Sequence, residues 1–270
     1  MANTVSGLKV NTLLQNPLMT RAEFTRGIRK ITGNCHMFWL PQASDTTTTT
    51  GDESAVGGLT FTYNHSIATY DTGARHLGLG IALKMNGTDE EFDTPDIAAF
   101  TPAAAISWVA LVNPVDSTNS TIGSKLDLTS GAEVREWLFW LDAADKLNLE
   151  LWDESAAAKI GKASKDTITE DEWQLLSATW DNTAASSGIK LYKNGTELAA
   201  TADDTGTFVD VENLTVVPSF GDYEGTGGTN INFFDGEMAM ILMVGKALTA
   251  LDLDNIRVWC NAFFDLNLKT

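Results

Sequence analysis

From Gly57 onward the apolar residues come in short runs, each broken within a few positions by Gly, Asn, Asp or Pro. A chain interrupted that often leaves little room for long amphipathic helices, whereas strands of about four to eight residues fit between the breaks. The predicted strands are Leu59–Tyr63, His76–Lys84, Ala104–Asn113, Trp137–Leu141, Leu147–Trp152, Trp173–Trp180, Ile189–Lys193, Glu197–Ala200 and Phe233–Val244. Asn194-Gly195 is the strongest local signal, because a two-residue hairpin turn needs positive φ at both positions. Many short strands separated by turn signals read as a sandwich.

A length of 270 residues suits one large sandwich or two small domains, and eight Trp with twelve Phe are ample for a core. The longest apolar run, Met238 to Gly245, is too short to cross a bilayer and reads as a strand buried on both faces. The first residues lack a basic head followed by an apolar stretch, so no signal peptide is read there. The protein is expected to be soluble, with no membrane insertion.

The net charge of −18 argues against nucleic acid as a partner of the folded body. The charge is uneven. Residues 1–40 hold Lys9, Arg21, Arg26, Arg29 and Lys30 against Glu23, a balance of +4, and the remainder carries −22. A short helix is predicted from Thr20 to Ile31, capped by Thr20, with Phe24, Ile28 and Ile31 at helical spacing. An apolar patch, Cys35 to Pro41, follows it. The threonines Thr46–Thr50 with Gly51 and Asp52 read as a linker, dividing an N-terminal arm (1–50) from the main domain (51–270). Near the other end, Thr249 and Asp252 form a capping-box pattern ahead of a short helix with Leu253, Ile256 and Trp259 or Cys260 inward.

Three blocks in order carry a family resemblance. They are LKMNGTDEEFDTPDIAAFTPAAAISWVALVNP (83–114), EWQLLSATWDNTAASSGIKLYKNGTELA (172–199) and FFDGEMAMILMVGKALTALDLDNIR (233–257). The first runs from a strand through an Asn-Gly turn and an acidic segment to an aromatic-rich strand closed by proline. The second is a Trp-led strand ending in aromatic-Asp, followed by a Leu-Tyr-Lys-Asn-Gly hairpin. The third is a Gly-led final strand giving way to a small helix. Together they resemble the laminin-G-like, concanavalin A-like jelly rolls over residues 55–265. The resemblance implies an all-β, two-sheet antiparallel sandwich with Trp108, Trp173 and Trp180 in the core. One departure stands out: Met238 to Met243 is almost wholly apolar where relatives often carry charge, so that sheet face should be covered by the N-terminal segment or by a partner.

Catalytic relatives of this fold place alternating acids on one strand, since a glycosidase needs two carboxylates facing one sugar bond. Glu150, Asp153 and Glu154, and the run Glu170-Asp171-Glu172, show no such alternation and read as solvated loop acids. No Gly-x-Ser-x-Gly elbow occurs, and Gly225-Thr-Gly-Gly228 is no phosphate loop. Cys35 and Cys260 read as buried thiols, and scattered His36, His65 and His76 make zinc improbable. No cofactor is expected. Calcium is the one candidate metal, through Asp89–Asp93, Asp203-Asp204, or Asp222 and Glu224 with Asp235, although no spacing matches a defined calcium loop. Trp137 and Trp140 lie three apart on one strand, so only one can be core, and the other either stacks on a sugar or partner or packs under a loop.

These readings favour a non-catalytic structural protein, such as a bacteriophage virion component working in capsid decoration or adhesion. It would dock on other virion or scaffold subunits as a homo-oligomer or as part of a larger assembly. Arg21, Arg26, Arg29 and Lys30 would supply the charge and Phe38 and Trp39 the apolar anchor. The rival for this arm is that it folds back over the apolar last strand. The alternative function is an extracellular carbohydrate-binding, lectin-like module, calcium-dependent or not, whose partner is a cell-surface glycan. A glycan-processing enzyme ranks last.

Overall fold

The computed structural model describes residues 19–33, 35–41, 59–64, 76–78, 80–129 and 133–270. The Thr46–Asp52 linker, and with it the boundary at residue 50, lies outside these residues, as do Lys9, Leu13 and Leu14. Among the described residues helix α1 (Arg21–Thr32) comes first and helix α2 (Ala250–Phe264) near the end, with strands between them.

The smaller sheet runs β1 (Cys35–Trp39), β19 (Asp235–Val244), β7 (Ile106–Asp116), β12 (Gln174–Trp180), β13 (Ile189–Lys193) and β14 (Thr196–Glu197), with β5 (Leu83–Asn86) also pairing β19. The larger runs β15 (Ala200–Ala202), β11 (Ala158–Thr167), β10 (Lys146–Asp153), β9 (Val134–Leu141), β8 (Ser120–Asp127), β16 (Ser219–Phe220), β6 (Glu91–Asp93) and β2 (Thr62–Asn64). A hairpin of β17 (Tyr223–Gly225) and β18 (Thr229–Ile231) joins β8 through one parallel contact, and β3 (His76–Leu77) with β4 (Gly80–Ile81) forms a separate ribbon. This is the expected two-sheet antiparallel sandwich. Asn194 (φ 52°) and Gly195 (φ 83°) form the β13–β14 turn, as their sequence requires. The strand expected at Glu197–Ala200 is instead a crossing: β14 ends in one sheet at Glu197 and β15 begins in the other at Ala200.

Between the sheets lies the main core, which includes Trp108, Trp137, Trp180, Phe92, Phe139 and Phe220. Trp137 donates its indole N–H to the Phe100 carbonyl at 2.9 Å, and Trp180 to that of Thr183 at 2.8 Å. A second core lies on the outer face of the smaller sheet. There Val109, Leu111, Leu175, Met240, Leu242 and Val244 are covered by Phe24 and Ile28 of α1 and by Leu253, Ile256, Cys260 and Phe263 of α2. Both helices start with complete capping boxes, Thr20 with Glu23 and Thr249 with Asp252. The expected C-terminal helix is α2, 15 residues long, and its Phe263 stacks on Phe24 with ring centroids 4.4 Å apart.

The apolar patch Cys35–Trp39 is an edge strand. β5 pairs Asp235–Met238 of β19, and β1 pairs Ile241–Val244. Without β1 the second half of β19 would present unpaired backbone groups beside an apolar surface. Phe38 points into the second core and Trp39 into the main core, where it stacks on Phe92 at 4.7 Å. Phe24→Ala should therefore destabilise the whole sandwich by about 3–5 kcal/mol, read from urea unfolding. An unchanged unfolding midpoint would show that the helix is only loosely attached.

Candidate functional site

With α1 and α2 on the outside of the smaller sheet, the outer face of the larger sheet is, among the described residues, the one with no α-helix over it. On β9 and β10 the residues 137, 139, 141, 147, 149 and 151 point into the main core. Strand alternation then turns Trp140, Asn148, Glu150 and Trp152 outward. Asn148 is directly opposite Trp140, and Trp152 is opposite Lys159 of β11. Trp140 and Trp152 are both partly exposed and lie four residues apart in register, about 13 Å along the strands at ~3.3 Å per residue. Both indoles thus lie on one face, with Glu150 between them.

That face carries a short chain of charges. Lys159 lies 3.2 Å from Glu150 and 2.6 Å from Asp203. Burial raises the Glu150 carboxyl above its usual range, against the pull of Lys159. Burial opposes the Lys159 charge, but its bonds to Asp203 and Glu150 outweigh this and raise its pKa. Burial and then the charge of Glu150 raise the Tyr223 phenol. Asn232 donates to the Tyr223 oxygen at 3.1 Å. Asn148 is fixed by Asp142 at 3.0 Å and by the Lys146 carbonyl at 2.7 Å. The Trp140 indole N–H and the hydroxyl of Thr121, directly across from it, have no protein partner.

The remaining acids have structural duties. Asp153, expected to be a solvated loop acid, is 4% exposed and accepts from the backbone of Ala156 and Val209. Those backbone bonds lower its pKa against the effect of burial. Glu154 takes both a 2.9 Å Nε and a 2.9 Å Nη2 bond from Arg135. Glu170 accepts from Ser117. At the rim, fully buried Lys125 and Glu136 pair at 2.5 Å, with Asp96, Thr101 and the Leu214 backbone completing the cluster.

The candidate calcium ligands do not come together as one set, although Asp222 has Asp93 and Glu224 near it. Asp89 is bound by Asn86, Asp203 by Lys159, and Asp204 by Ser186 and the Gly161 N–H. Asp235 instead lies near Asp116. Among the described residues no three His, Cys, Asp or Glu side chains are grouped to hold a metal. Cys35 and Cys260 are free and buried, and burial pushes the Cys260 thiol up.

The arm residues separate into two kinds. Arg26, Arg29 and Lys30 are exposed on α1. Arg21 is turned inward, donating to the Leu40 and Pro41 carbonyls. Phe38 and Trp39, expected as an apolar anchor for a partner, are 0% exposed. That expectation is corrected: the sandwich itself consumes both rings. Trp173, expected in the core, is only partly buried at the edge of the second core. Trp137 is the core member of its pair and Trp140 the outward one.

Asp222, between β16 and β17, is a calcium candidate by sequence, and no sequence pattern marks it as buried. It is 1% exposed; one oxygen accepts from Ser219 and the other has no partner. Burial first, then the charges of Asp93 and Glu224, push this carboxyl up to about 7 against the bond from Ser219. Its folded value lies above the free value of 3.8, so folding takes up a proton between the two. The stability from this group is full below pH 3.8 and is lost as pH rises through about 7. The full difference is on the order of 4 kcal/mol. Asp222→Asn should flatten the decline in urea midpoint between pH 5 and pH 8. An unaltered pH profile would assign the decline elsewhere.

A sequence profile of the concanavalin A-like lectin/glucanase superfamily matches residues 86–254, and the chain belongs to this family. No relative was found among curated proteins. Among solved structures, the chain is similar to domain 4 of AbnA, a GH43 extracellular arabinanase from Geobacillus stearothermophilus, in complex with arabinotriose. Identity is 17%, with a TM-score of 0.54, covering 83% of this chain and 98% of that one. It is also similar to the receptor-binding domain of botulinum neurotoxin mosaic serotype C/D, at 11% identity and TM-score 0.56, covering 84% and 51%. The binding domain of botulinum neurotoxin DC in complex with SialylT matches at 10% identity and TM-score 0.56, covering 84% and 52%. The chain thus spans about half the length of the toxin domains. At these identities the likeness concerns the fold.

Proposed function

We propose that this chain is a non-catalytic carbohydrate-binding module that takes an oligosaccharide along the outer face of the larger sheet. The observation that carries the proposal is the pair Trp140 and Trp152, outward on adjacent strands with Glu150 and Lys159 beside them. Aromatic faces meet the apolar faces of sugar rings, and a few polar groups fix the hydroxyls. The arabinotriose complex of the arabinanase domain is consistent with this substrate class. The non-catalytic part rests on the carboxylates: Glu150 is tied to Lys159, Asp153 to backbone N–H groups and Glu154 to Arg135.

Glycan-array screening followed by titration tests the site. Trp140→Ala and Trp152→Ala should each weaken binding about tenfold, equivalent to ~1.4 kcal/mol, with the unfolding midpoint preserved. Full affinity in the double variant would refute the assignment. Turnover of a β-glucan panel that disappears in Glu150→Gln would refute the non-catalytic reading.

A second reading, a structural subunit of a virion or similar assembly, is favoured by one observation. Arg26, Arg29 and Lys30 form an exposed basic face on α1, beside a depression of about 500 Å³ that Ala22 and Thr25 also line. On a strongly acidic body this face would attract acidic protein surfaces. Under this reading Arg26→Glu with Lys30→Glu lowers the mass seen in sedimentation, whereas a monomeric parent protein removes self-association from consideration.

A further inference from the structure

A second cleft lies away from the sheet face, between the segment that follows α2 and the tip of the β13–β14 hairpin. It holds about 500 Å³ and is lined by Glu172, Trp173, Lys193, Asn194 and residues 266–269. That volume is within the range of small-molecule sites. We propose that this cleft is a second saccharide site, in which the Trp173 indole is the stacking surface for one sugar ring.

The walls are fixed without a ligand. Asn194, 6% exposed, accepts from the Leu175 N–H at 2.8 Å and donates to the Lys269 carbonyl at 2.9 Å, clamping the hairpin tip to the opposite wall. Leu268 is held from behind: its carbonyl accepts from Arg257 at 2.6 Å and its N–H donates to Asn261 at 2.8 Å. Lys193 is steadied by Thr169 at 3.0 Å. A ligand entering here orders little of the protein, which favours affinity.

The polar lining selects the ligand class. Glu172 accepts, Lys193 and Lys269 donate, and Asn267 does both, so donors and acceptors line the cleft together with the Trp173 indole. A neutral sugar ring, with hydroxyls that donate and accept and a C–H face that stacks, matches that mixture. A simple anion would meet the Glu172 carboxylate, and a purely apolar ligand would leave both lysines desolvated. Trp173 is suited to the role because only part of its ring is used in packing on the second core.

The inference takes its substrate class from the proposed function, but the two sites fail separately. Indole N–H signals of ¹⁵N-labelled full-length protein are followed while arabinotriose, xylotriose, cellotriose and maltotriose are titrated in turn. The Trp173 signal, assigned with Trp173→Phe, should move with at least one sugar and still move in the Trp140→Ala/Trp152→Ala variant. Asn267→Ala, which leaves Trp173 in place, should weaken that response at least threefold. A response confined to Trp140 and Trp152 overturns the cleft and leaves the sheet-face site standing. Silence of every indole overturns both, and a Trp173 response unchanged by Asn267→Ala overturns the cleft geometry.

Discussion

The burial of β19 on both faces is the constraint around which the molecule is arranged. Met238, Ile241 and Met243 point into the main core, while Met240, Leu242 and Val244 point the other way. A strand apolar on both sides is stable only when both sheet faces are covered. Here α1 and α2 cover the second face and β1 completes the edge, so the basic N-terminal segment is bound into the fold through Phe24, Ile28, Phe38 and Trp39. The same arrangement leaves the outer face of the larger sheet without an α-helix over it among the described residues.

The acidic balance is managed locally. Inside, the Lys125–Glu136 pair is surrounded by hydrogen-bonding groups, which such a pair needs to offset its desolvation. On the sheet face Lys159 is shared between Glu150 and Asp203. Asp222 is the exception, because its second oxygen has no partner and its neighbours Asp93 and Glu224 are also acidic. It lies next to the β17–β18 hairpin, whose Tyr223 phenol is raised by burial and by the charge of Glu150.

Much of the frame was legible along the chain. Asn194-Gly195 defines its own turn, Thr20 and Thr249 define their helix starts, and the strands rich in Trp, Leu and Val announce themselves by pattern. Strands β8 (STIGSKLD) and β11 (AKIGKASKDT) did not, because Ser, Lys, Gly and Asp blur the alternation on which strand reading depends. Their place is set by pairing with β9 and β10. Cys35–Trp39 looked like an isolated apolar patch because its partner is about two hundred residues away.

The sequence by itself determined the sandwich class, the hairpin, the helix caps and the demand for a cover over Met238–Val244, since each follows from local periodicity or backbone preference. Only the tertiary structure decided that the chain supplies its own cover and that Trp140 and Trp152 share an outward face. The partial exposure of Trp173 and the full burial of Trp39 were likewise tertiary outcomes. These are questions of which surfaces meet, and a residue's own chemistry is the same on either side of that choice.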